Sequence, residues 1–348
     1  MAYQDVDPEL LLLRRQYLQL FEPDFLAWPP PRLLKSADAQ TWLHKHLFDA
    51  GRNPRLPPEQ YQLRVLTRLV AKIEKTTEDP PEAKISQGLV AAFASLAGRV
   101  KHVEFEPTPG PAYVTFTCIP EARNDGEDGD VEPTVTLLER RHMVSGSRTT
   151  GFRTWEGSLH LGAYLLSAAG ARLIRAKNVL ELGAGTGFLS ALLAGRLCAS
   201  YVAATDGDEA VVAALRQNLA LNGLDDARKA RAETLRWGDG LEGTWVEGDC
   251  KARPYDVVIG ADITYDKVAI VALVSTLRSL FDLRAELVVI IAGVVRNAET
   301  FQTFRDECAC HCFLVADVDF EPKPMRQQKA LFYAAAVPIK ILRITRPV

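Results

Sequence analysis

The chain has 348 residues, of which 47% are hydrophobic and 24% charged, and its formal net charge is −3 at pH 7. This is the composition of an ordinary globular protein, and the length allows two domains of about 100–200 residues each. The weak negative charge excludes the bulk basicity typical of nucleic-acid binding proteins, and no apolar run approaches the roughly 18 residues of a membrane helix. The first residues lack the basic and apolar regions of a secretory signal. We therefore expect no direct nucleic-acid partner and no membrane partner.

Six cysteines are spread along the chain, unlike the dense pattern of a disulfide-stapled domain. Three of them fall in Cys308-Ala-Cys310-His311-Cys312. This run could indicate a metal site, but its spacing matches none of the usual zinc patterns and no second Cys/His pair lies nearby. We favour reduced structural thiols at the end of a helix and the start of a strand. We therefore expect no metal and a cytoplasmic protein, which we take to be a monomer.

Residues 1–105 are predicted to form an N-terminal helical domain, in which prolines separate four amphipathic helices. Asp7-Pro8 is typical of a first helix start, Ser36 of a second, and the pairs Pro57-Pro58 and Pro80-Pro81 of a third and a fourth. The domain is either a structural cap or a substrate-recognition domain, and the sequence favours neither.

Residues 106–144 are predicted to form a β-hairpin. Its strands are a β-rich run at 111–119 and a second run at Thr134–Arg140. The acidic, glycine-containing loop Glu121–Glu132 joins them. It is most simply a solvated connection, although it could attract a basic surface of a substrate.

From residue 145 to residue 348 the chain alternates strands with helices, which predicts a Rossmann-like, doubly wound α/β sheet that is mostly parallel. The seven strand candidates are 177–182, 200–205, 232–237, 255–261, 286–292, 312–318 and 329–336 onward. Ligands of such sheets bind at the carboxyl ends of the strands. The residues at those ends are therefore the candidate site residues.

The segment Val179–Ser190 reads V-L-E-L-G-A-G-T-G-F-L-S, which predicts a strand, a tight glycine turn and a helix. Glycines let the backbone turn sharply and let a ligand approach, and the following helix points free N–H groups at the turn. The next predicted strand ends in Asp206, where a carboxylate can accept hydrogen bonds from ribose hydroxyls. A dinucleotide-binding unit would read G-x-G-x-x-G instead.

Glu-x-Gly-x-Gly-x-Gly, followed by a strand and an aspartate, resembles motif I and its acidic partner in the seven-β-strand, S-adenosylmethionine-dependent methyltransferases. The resemblance implies this fold and this cofactor. Two tryptophans lie near the expected site. Trp155, before the helix that precedes motif I, is either a core residue or a wall of the cofactor pocket. Trp237, at the end of the third predicted strand, is either a core residue or a cover for the adenine ring.

Asp262-Ile-Thr-Tyr265 follows the fourth predicted strand directly. It resembles the D-x-x-Y motif of the family-16 seven-β-strand methyltransferases, whose known members are mainly protein-lysine methyltransferases. The N-P-P-Y motif of enzymes that modify amide or base nitrogens is absent. Two more segments resemble the elongation factor 2 lysine methyltransferases of eukaryotes, a subgroup with an N-terminal helical extension. They are Thr149–Trp155 and Val295–Phe301. The resemblance covers roughly residues 145–346.

This resemblance implies a lysine N-methyltransferase whose protein substrate is elongation factor 2. It implies that Asp262 and Tyr265 line the lysine channel. It also implies cofactor contacts from Trp155, Gly183, Ala184, Gly185, Asp206, Trp237 and Ala261. Because a carboxylate stabilises an ammonium ion, we assign Asp262 to aligning the ε-nitrogen and not to deprotonating it. Tyr265 either fixes Asp262, walls the channel or is a packed aromatic at the strand end.

Two rival functions stay open. One is a methyltransferase for another protein, an RNA or a small molecule; the missing basic patch and missing N-P-P-Y count against nucleic acid. The other is a catalytically silent binding module on the same fold, against which the intact glycine turn, Asp206 and Asp262 argue.

Overall fold

A computed structural model describes residues 6–76, 84–100, 110–121, 132–140 and 150–347. Its internal contacts divide the chain into two units. The first comprises Met1–Thr117 and Asp128–Met143, and the second comprises Cys118–Glu127 and Val144–Val348. The Pro80-Pro81 helix start, most of the acidic loop and residues 145–149 lie outside the described residues.

The first unit contains a helical part. Its helices are α1 (Pro8–Leu18), α2 (Pro31–Leu34), α3 (Ala37–Leu43), α4 (Glu59–Glu74) and α5 (Gln87–Arg99), with a 3-10 turn at Pro23–Phe25 and a π turn at His44–Phe48. The Asp7 side chain accepts a hydrogen bond from the Glu9 amide (3.0 Å), and Ser36 accepts one from the Ala39 amide (3.3 Å). Side-chain caps of this kind satisfy the free N–H groups of a helix start, so both predicted starts are confirmed.

The same unit contains the predicted hairpin. β1 (Ala112–Thr117) and β2 (Thr134–Glu139) pair antiparallel. Glu132, just before β2, is buried, and its carboxylate accepts hydrogen bonds from Arg15 Nε (2.7 Å) and Arg14 Nη1 (3.2 Å) of α1. A buried charge needs such partners, so these ion pairs connect α1 to the hairpin.

The second unit is a seven-stranded sheet with helices around it. The strands are β3 (Asn178–Leu182), β4 (Tyr201–Asp206), β5 (Ala230–Thr234), β6 (Val257–Ala261), β7 (Val288–Val294), β8 (Leu314–Asp317) and β9 (Ile339–Thr345). The helices are α6 (Glu156–Leu165), α7 (Ala168–Ile174), α8 (Phe188–Gly195), α9 (Glu209–Leu221), α10 (Trp245–Ala252), α11 (Lys267–Leu283) and α12 (Ala298–Cys310), with 3-10 turns at Thr150–Phe152 and Met325–Gln327.

The strand order is β5-β4-β3-β6-β7-β9-β8. Strands β3 to β7 all run parallel to one another, whereas β9 is antiparallel to both β7 and β8. This is the predicted seven-stranded, Rossmann-like methyltransferase sheet. In the register, Leu182 lies opposite both Thr205 and Gly260, so the carboxyl ends of β3, β4 and β6 are aligned at one edge. That alignment gathers the candidate site residues.

Side-chain alternation gives the sheet two buried faces. Leu180 and Leu182 of β3 belong to a core cluster with residues of α10, α11 and α12. Val179 and Glu181 therefore point to the opposite face, where Glu181 accepts a hydrogen bond from Ser190 of α8. Burial on both faces explains why the parallel strands read as continuous apolar runs.

Two strand predictions need correction. The third strand covers 230–234, so Trp237 follows it in a turn and does not end it. The last strand is β9 at Ile339–Thr345, and the predicted start at 329 is wrong. The apolar run Leu331–Tyr333 is buried without being a strand. The Tyr333 amide donates to Gln328 Oε1 (2.9 Å), and Gln328 Nε2 donates to the Tyr333 carbonyl (3.1 Å).

None of the helices among the described residues combines the length and apolar character needed to cross a bilayer. No group of three metal-ligating side chains occurs there either. In the C-x-C-H-C run, Cys308 is buried whereas Cys310 and Cys312 are exposed, and all six cysteines are free thiols.

Candidate active site

The glycine turn leaves β3 and enters α8 with an unusual backbone. Gly183, Gly185 and Gly187 all have positive φ (66°, 54° and 85°), a region that disfavours residues with a Cβ. At Gly187 a Cβ would lie 2.4 Å from Leu215 Cδ1. The Ala184 amide donates to the Thr205 carbonyl (2.7 Å), which fixes the turn against the end of β4.

Asp206 ends β4 beside this turn. Its Oδ2 accepts a hydrogen bond from the Gly185 amide (3.1 Å), and its Oδ1 accepts one from the Asp208 amide (3.2 Å). Burial raises the pKa of the Asp206 carboxyl, and the backbone N–H donors oppose that shift. An ionised carboxylate has about four acceptor sites, so these backbone donors leave capacity for a ligand's hydroxyl.

Glu181, the acidic residue of the motif, does not line the cleft. Its side chain is buried and bonded to Ser190, and burial raises its pKa to about 8. It supports the junction of β3 and α8 from within.

Both tryptophans lie in the wall of one cleft, and neither is a fully buried core residue. The Trp155 indole N–H donates to the Thr150 carbonyl (2.8 Å), and the guanidinium groups of Arg153 and Arg296 lie 4.9 and 5.1 Å from its ring centroid. Trp237 Nε1 is buried and has no hydrogen-bond partner among the described residues. A buried unpaired N–H is unusual and marks a site that a ligand can complete.

Asp262 is placed by contacts from two other elements. Its Oδ2 accepts a hydrogen bond from the Gly157 amide (2.7 Å) in the first turn of α6, and its Oδ1 accepts one from the Val294 amide (3.1 Å) at the end of β7. The residue has φ +54°, a strained value outside glycine and one that concentrates at functional sites. Its own amide donates to the Ala292 carbonyl (2.9 Å), which holds that backbone.

Gly157 also approaches the carboxylate closely. A Cβ there would lie 2.6 Å from Asp262 Oδ2 and 2.7 Å from its Cγ, closer than such contacts occur. Only a glycine allows α6 to begin at this distance. The sequence prediction missed this role; the one signal was a glycine at the second position of a helix, directly after Trp155-Glu156.

Burial raises the pKa of the Asp262 carboxyl, whereas the Val294 and Gly157 amides act against the shift. Two charged neighbours have smaller, opposed effects: Glu156 raises the pKa and Arg296 lowers it. Glu156 forms ion pairs with both Arg296 and Arg153, and the Nη2–Oε distance is 3.4 Å in each.

Tyr265 also lines the cleft, but its side chain is 68% exposed. It is therefore not a packed strand-end aromatic. Within the described ranges no hydrogen bond joins Tyr265 to Asp262; the Gly157 and Val294 amides hold the carboxylate instead.

The cleft that these residues share has a volume of about 1180 Å³, above the roughly 300–1,000 Å³ of common ligand pockets. It lies at the aligned carboxyl ends of the strands. Its lining contains every predicted site residue: Trp155, Gly183, Ala184, Gly185, Asp206, Trp237, Ala261, Asp262 and Tyr265. The roles given to these residues stay predictions.

The lining fits S-adenosylmethionine. The positive-φ glycines leave a floor without side chains, Trp237 and Ala261 provide apolar walls for a purine, and Asp206 provides acceptors for a ribose. The unpaired Trp237 Nε1 and the carboxylate of Asp262 add two polar groups.

The model of a lysine methyltransferase family matches residues 141–306. The chain is 41% identical over 331 residues to the protein-lysine N-methyltransferase EFM3 of Chaetomium thermophilum, covering 95% of this chain and 96% of that protein. It is 31% identical over 347 residues to the protein-lysine N-methyltransferase EEF2KMT of Homo sapiens, covering 94% and 96%. EFM3 of Saccharomyces cerevisiae is 29% identical over 236 residues, covering 63% and 67%.

The matches to EFM3 of Chaetomium thermophilum and to EEF2KMT span both units, and the second unit holds the sheet, the glycine turn and the cleft. The chain belongs to the lysine methyltransferase family and is an S-adenosylmethionine-dependent protein-lysine N-methyltransferase.

Proposed function

We propose that the chain methylates a lysine of translation elongation factor 2. The observation that carries the proposal is the position of the segment that resembles the elongation factor 2 methyltransferases. Arg296, Asn297, Thr300 and Phe301 of that segment line the cleft beside Asp262. The similarity to human EEF2KMT, which includes the helical unit, supports the same substrate.

The cofactor side of the proposed site consists of the glycine turn, Asp206, Trp237, Ala261 and Trp155. Bound there, S-adenosylmethionine supplies an electrophilic methyl carbon on a sulfonium sulfur. Asp206 would accept hydrogen bonds from the ribose, and the amides of the glycine turn, held by Asp206 and Thr205, would let the ligand approach the backbone. Trp237 and Ala261 would cover the adenine.

The acceptor side consists of Asp262 and Tyr265. Lysine in water has a pKa of about 10.4, so only about one molecule in roughly 2,000 is neutral and nucleophilic at pH 7. Desolvation in the cleft favours the neutral amine, whereas the Asp262 carboxylate favours the ammonium ion. Asp262 therefore acts by orienting the ε-nitrogen, and the released proton leaves to water. Alignment to about 3–3.5 Å can contribute several kcal/mol to catalysis.

We also propose that the protein is a monomer in the cytoplasm. Exposed free thiols, here Cys198, Cys310 and Cys312, persist in a reducing compartment. One chain supplies every residue of the proposed site, so a second copy is not needed.

The test uses the purified chain, radiolabelled S-adenosylmethionine and purified elongation factor 2. We expect label in the factor, on a lysine that mass spectrometry identifies. Elongation factor 2 with chemically blocked lysine amines is the control and should stay unlabelled. Label in another lysate protein or in RNA, with none in elongation factor 2, would show that the proposed substrate is wrong.

A further inference from the structure

Three exposed apolar side chains lie beside the mouth of the cleft. Tyr265, Val268 and Val271 are 68%, 81% and 51% exposed; we refer to them as the apolar strip. Among the described residues they are three of eight large hydrophobic side chains with high exposure. Single exposed apolar residues are ordinary, but a cluster at the rim of an active site indicates an interaction surface.

Helix geometry makes the apolar strip continuous with the cleft. Ala269 and Ala272 of α11 line the cleft. Residues of a helix advance by about 100° each, so Val268 lies about 40° from Ala272, and Val271 lies about 60° further round. Tyr265, which precedes the helix, lines the cleft itself. A chain that leaves the cleft over this rim therefore meets the apolar strip first.

The apolar strip is on a firmly held element. The opposite side of α11 is buried in the core through Ile270, Leu273 and Leu277. Asp266 caps its N-terminus, because Oδ1 of Asp266 accepts a hydrogen bond from the Ala269 amide (2.8 Å). A surface that is formed before binding loses little conformational entropy on binding, which suits it for recognition.

The family's activity determines what can cover the apolar strip. A lysine that belongs to a folded protein enters the cleft by its side chain alone, so the neighbouring residues of the substrate must cross the rim. We propose that the apolar strip binds the substrate segment next to the target lysine, through an apolar side chain of that segment. This inference rests on the proposed function, because it takes the lysine to lie beside Asp262.

The test compares the double variant Val268→Ser/Val271→Ser with the wild-type chain, using purified elongation factor 2 as the probe. Both residues are exposed and serine adds no charge, so the fold and the field in the cleft stay unchanged. We expect KM for the protein substrate to rise about fivefold to tenfold, because covering two valine side chains with an apolar side chain of the substrate removes enough apolar surface from water for a factor of this size. The rate constant kcat and the Kd for S-adenosylmethionine by calorimetry should change less than twofold.

Leu314→Ser is the matched control. Leu314 is 59% exposed in the same unit, but it begins β8 and so lies at the sheet edge away from the strand carboxyl ends. Its KM should equal that of the wild type. An unchanged KM in the double variant would overturn the proposal. If that variant also loses a self-association that ultracentrifugation detects in the wild type, the apolar strip binds a second copy of the chain instead.

The proposed substrate and the apolar strip fail separately. If the wild-type chain leaves elongation factor 2 unlabelled, the proposed substrate is wrong. The same variants are then compared on the lysate protein that the wild-type chain does label, after purification. A raised KM there supports the apolar strip, and an equal KM overturns it.

Discussion

The two sides of the cleft are built from different kinds of contact. On the glycine-turn side, the Gly185 amide is bonded to Asp206, the last residue of the adjacent strand. On the Asp262 side, one carboxylate is held by amides 105 positions earlier and 32 positions later in the chain. The first side joins one turn to the end of the next strand along the chain, whereas the second forms only when α6, β6 and β7 meet.

The two sides are therefore vulnerable to different changes. The glycine turn is held by its own backbone conformation and by the Thr205 carbonyl, so we expect it to keep its shape when the Asp206 side chain is removed. The Asp262 carboxylate is held at φ +54° by two distant donors, so its position depends on tertiary packing. We therefore expect changes on the Asp262 side to reduce methyl transfer and changes on the Asp206 side to reduce cofactor affinity.

The largest effect should come from Asp262. Asp262→Ala removes the carboxylate that we assign to aligning the lysine, and we expect kcat to fall by about 100-fold to 1,000-fold or more, since misplacement by about 1 Å can cost roughly 100-fold. The Kd for S-adenosylmethionine should stay largely unchanged. Single-turnover methylation and calorimetry measure the two effects.

Asp262→Asn is the matched control, because asparagine has the same shape and tolerates positive φ. Its NH2 group cannot accept a hydrogen bond, so either the Gly157 or the Val294 amide loses its partner and the free energy of unfolding falls somewhat. The variant should still fold, and it should lose activity. Transfer at the wild-type rate in either variant would show that the role assigned to Asp262 is wrong.

The next effect should come from Gly157→Ala. Alanine favours a helix over glycine by about 1 kcal/mol, but its Cβ would displace the Asp262 carboxylate, which lies 2.6 Å from the Cβ position. We expect kcat to fall by about 10-fold to 100-fold with cofactor affinity retained.

Gly248→Ala in α10 is the control, because no atom of the described residues beyond its own helix turn lies within 4 Å of its Cβ position. It should leave kcat unchanged and slightly raise the unfolding temperature. If Gly157→Ala is as active as Gly248→Ala, the close approach of α6 has no part in positioning the carboxylate.

Asp206→Ala should have a smaller effect, and on cofactor affinity instead of kcat. Hydrogen bonds to a charged group contribute about 1.5–3 kcal/mol, so we expect the Kd for S-adenosylmethionine to rise by about tenfold or more. At saturating cofactor, kcat should stay within a few-fold of the wild type. An unchanged Kd, or a loss of kcat alone, would contradict the division of roles between the two sides.

The same contrast explains how far the sequence could predict the molecule. The glycine turn, Asp206 and the sheet were predictable because short-range patterns encode them. The Gly157 and Val294 amides were not, because their partner is far away in the chain. The start of the last strand was predicted wrongly because the apolar run Leu331–Tyr333 is buried like a strand. The Tyr333 backbone, however, hydrogen-bonds to the side chain of Gln328 and not to a neighbouring strand.

The smallest effect concerns stability and Glu181, beneath the glycine turn. Burial raises its pKa to about 8, from an ordinary value near 4.5, so the folded state prefers the protonated form. A raised pKa means that this contribution to stability is complete below about pH 4.5 and is lost as the pH rises through about 8. Glu181→Gln, which stays neutral, should therefore match the wild type near pH 5 and exceed it increasingly toward pH 8.

Urea unfolding of both proteins at pH 5, 6, 7 and 8 measures this difference. Its upper bound is a few kcal/mol, because one pKa unit corresponds to about 1.36 kcal/mol. Burial also lowers the pKa of His160 to about 4, which destabilises both proteins as the pH falls below about 6.5, so this effect cancels in the comparison. A difference that is constant across the range would mean that Glu181 does not titrate there. A difference that grows with pH would make Glu181 a neutral structural residue under the turn, so that the acidic residue facing the ligand on this side of the cleft is Asp206.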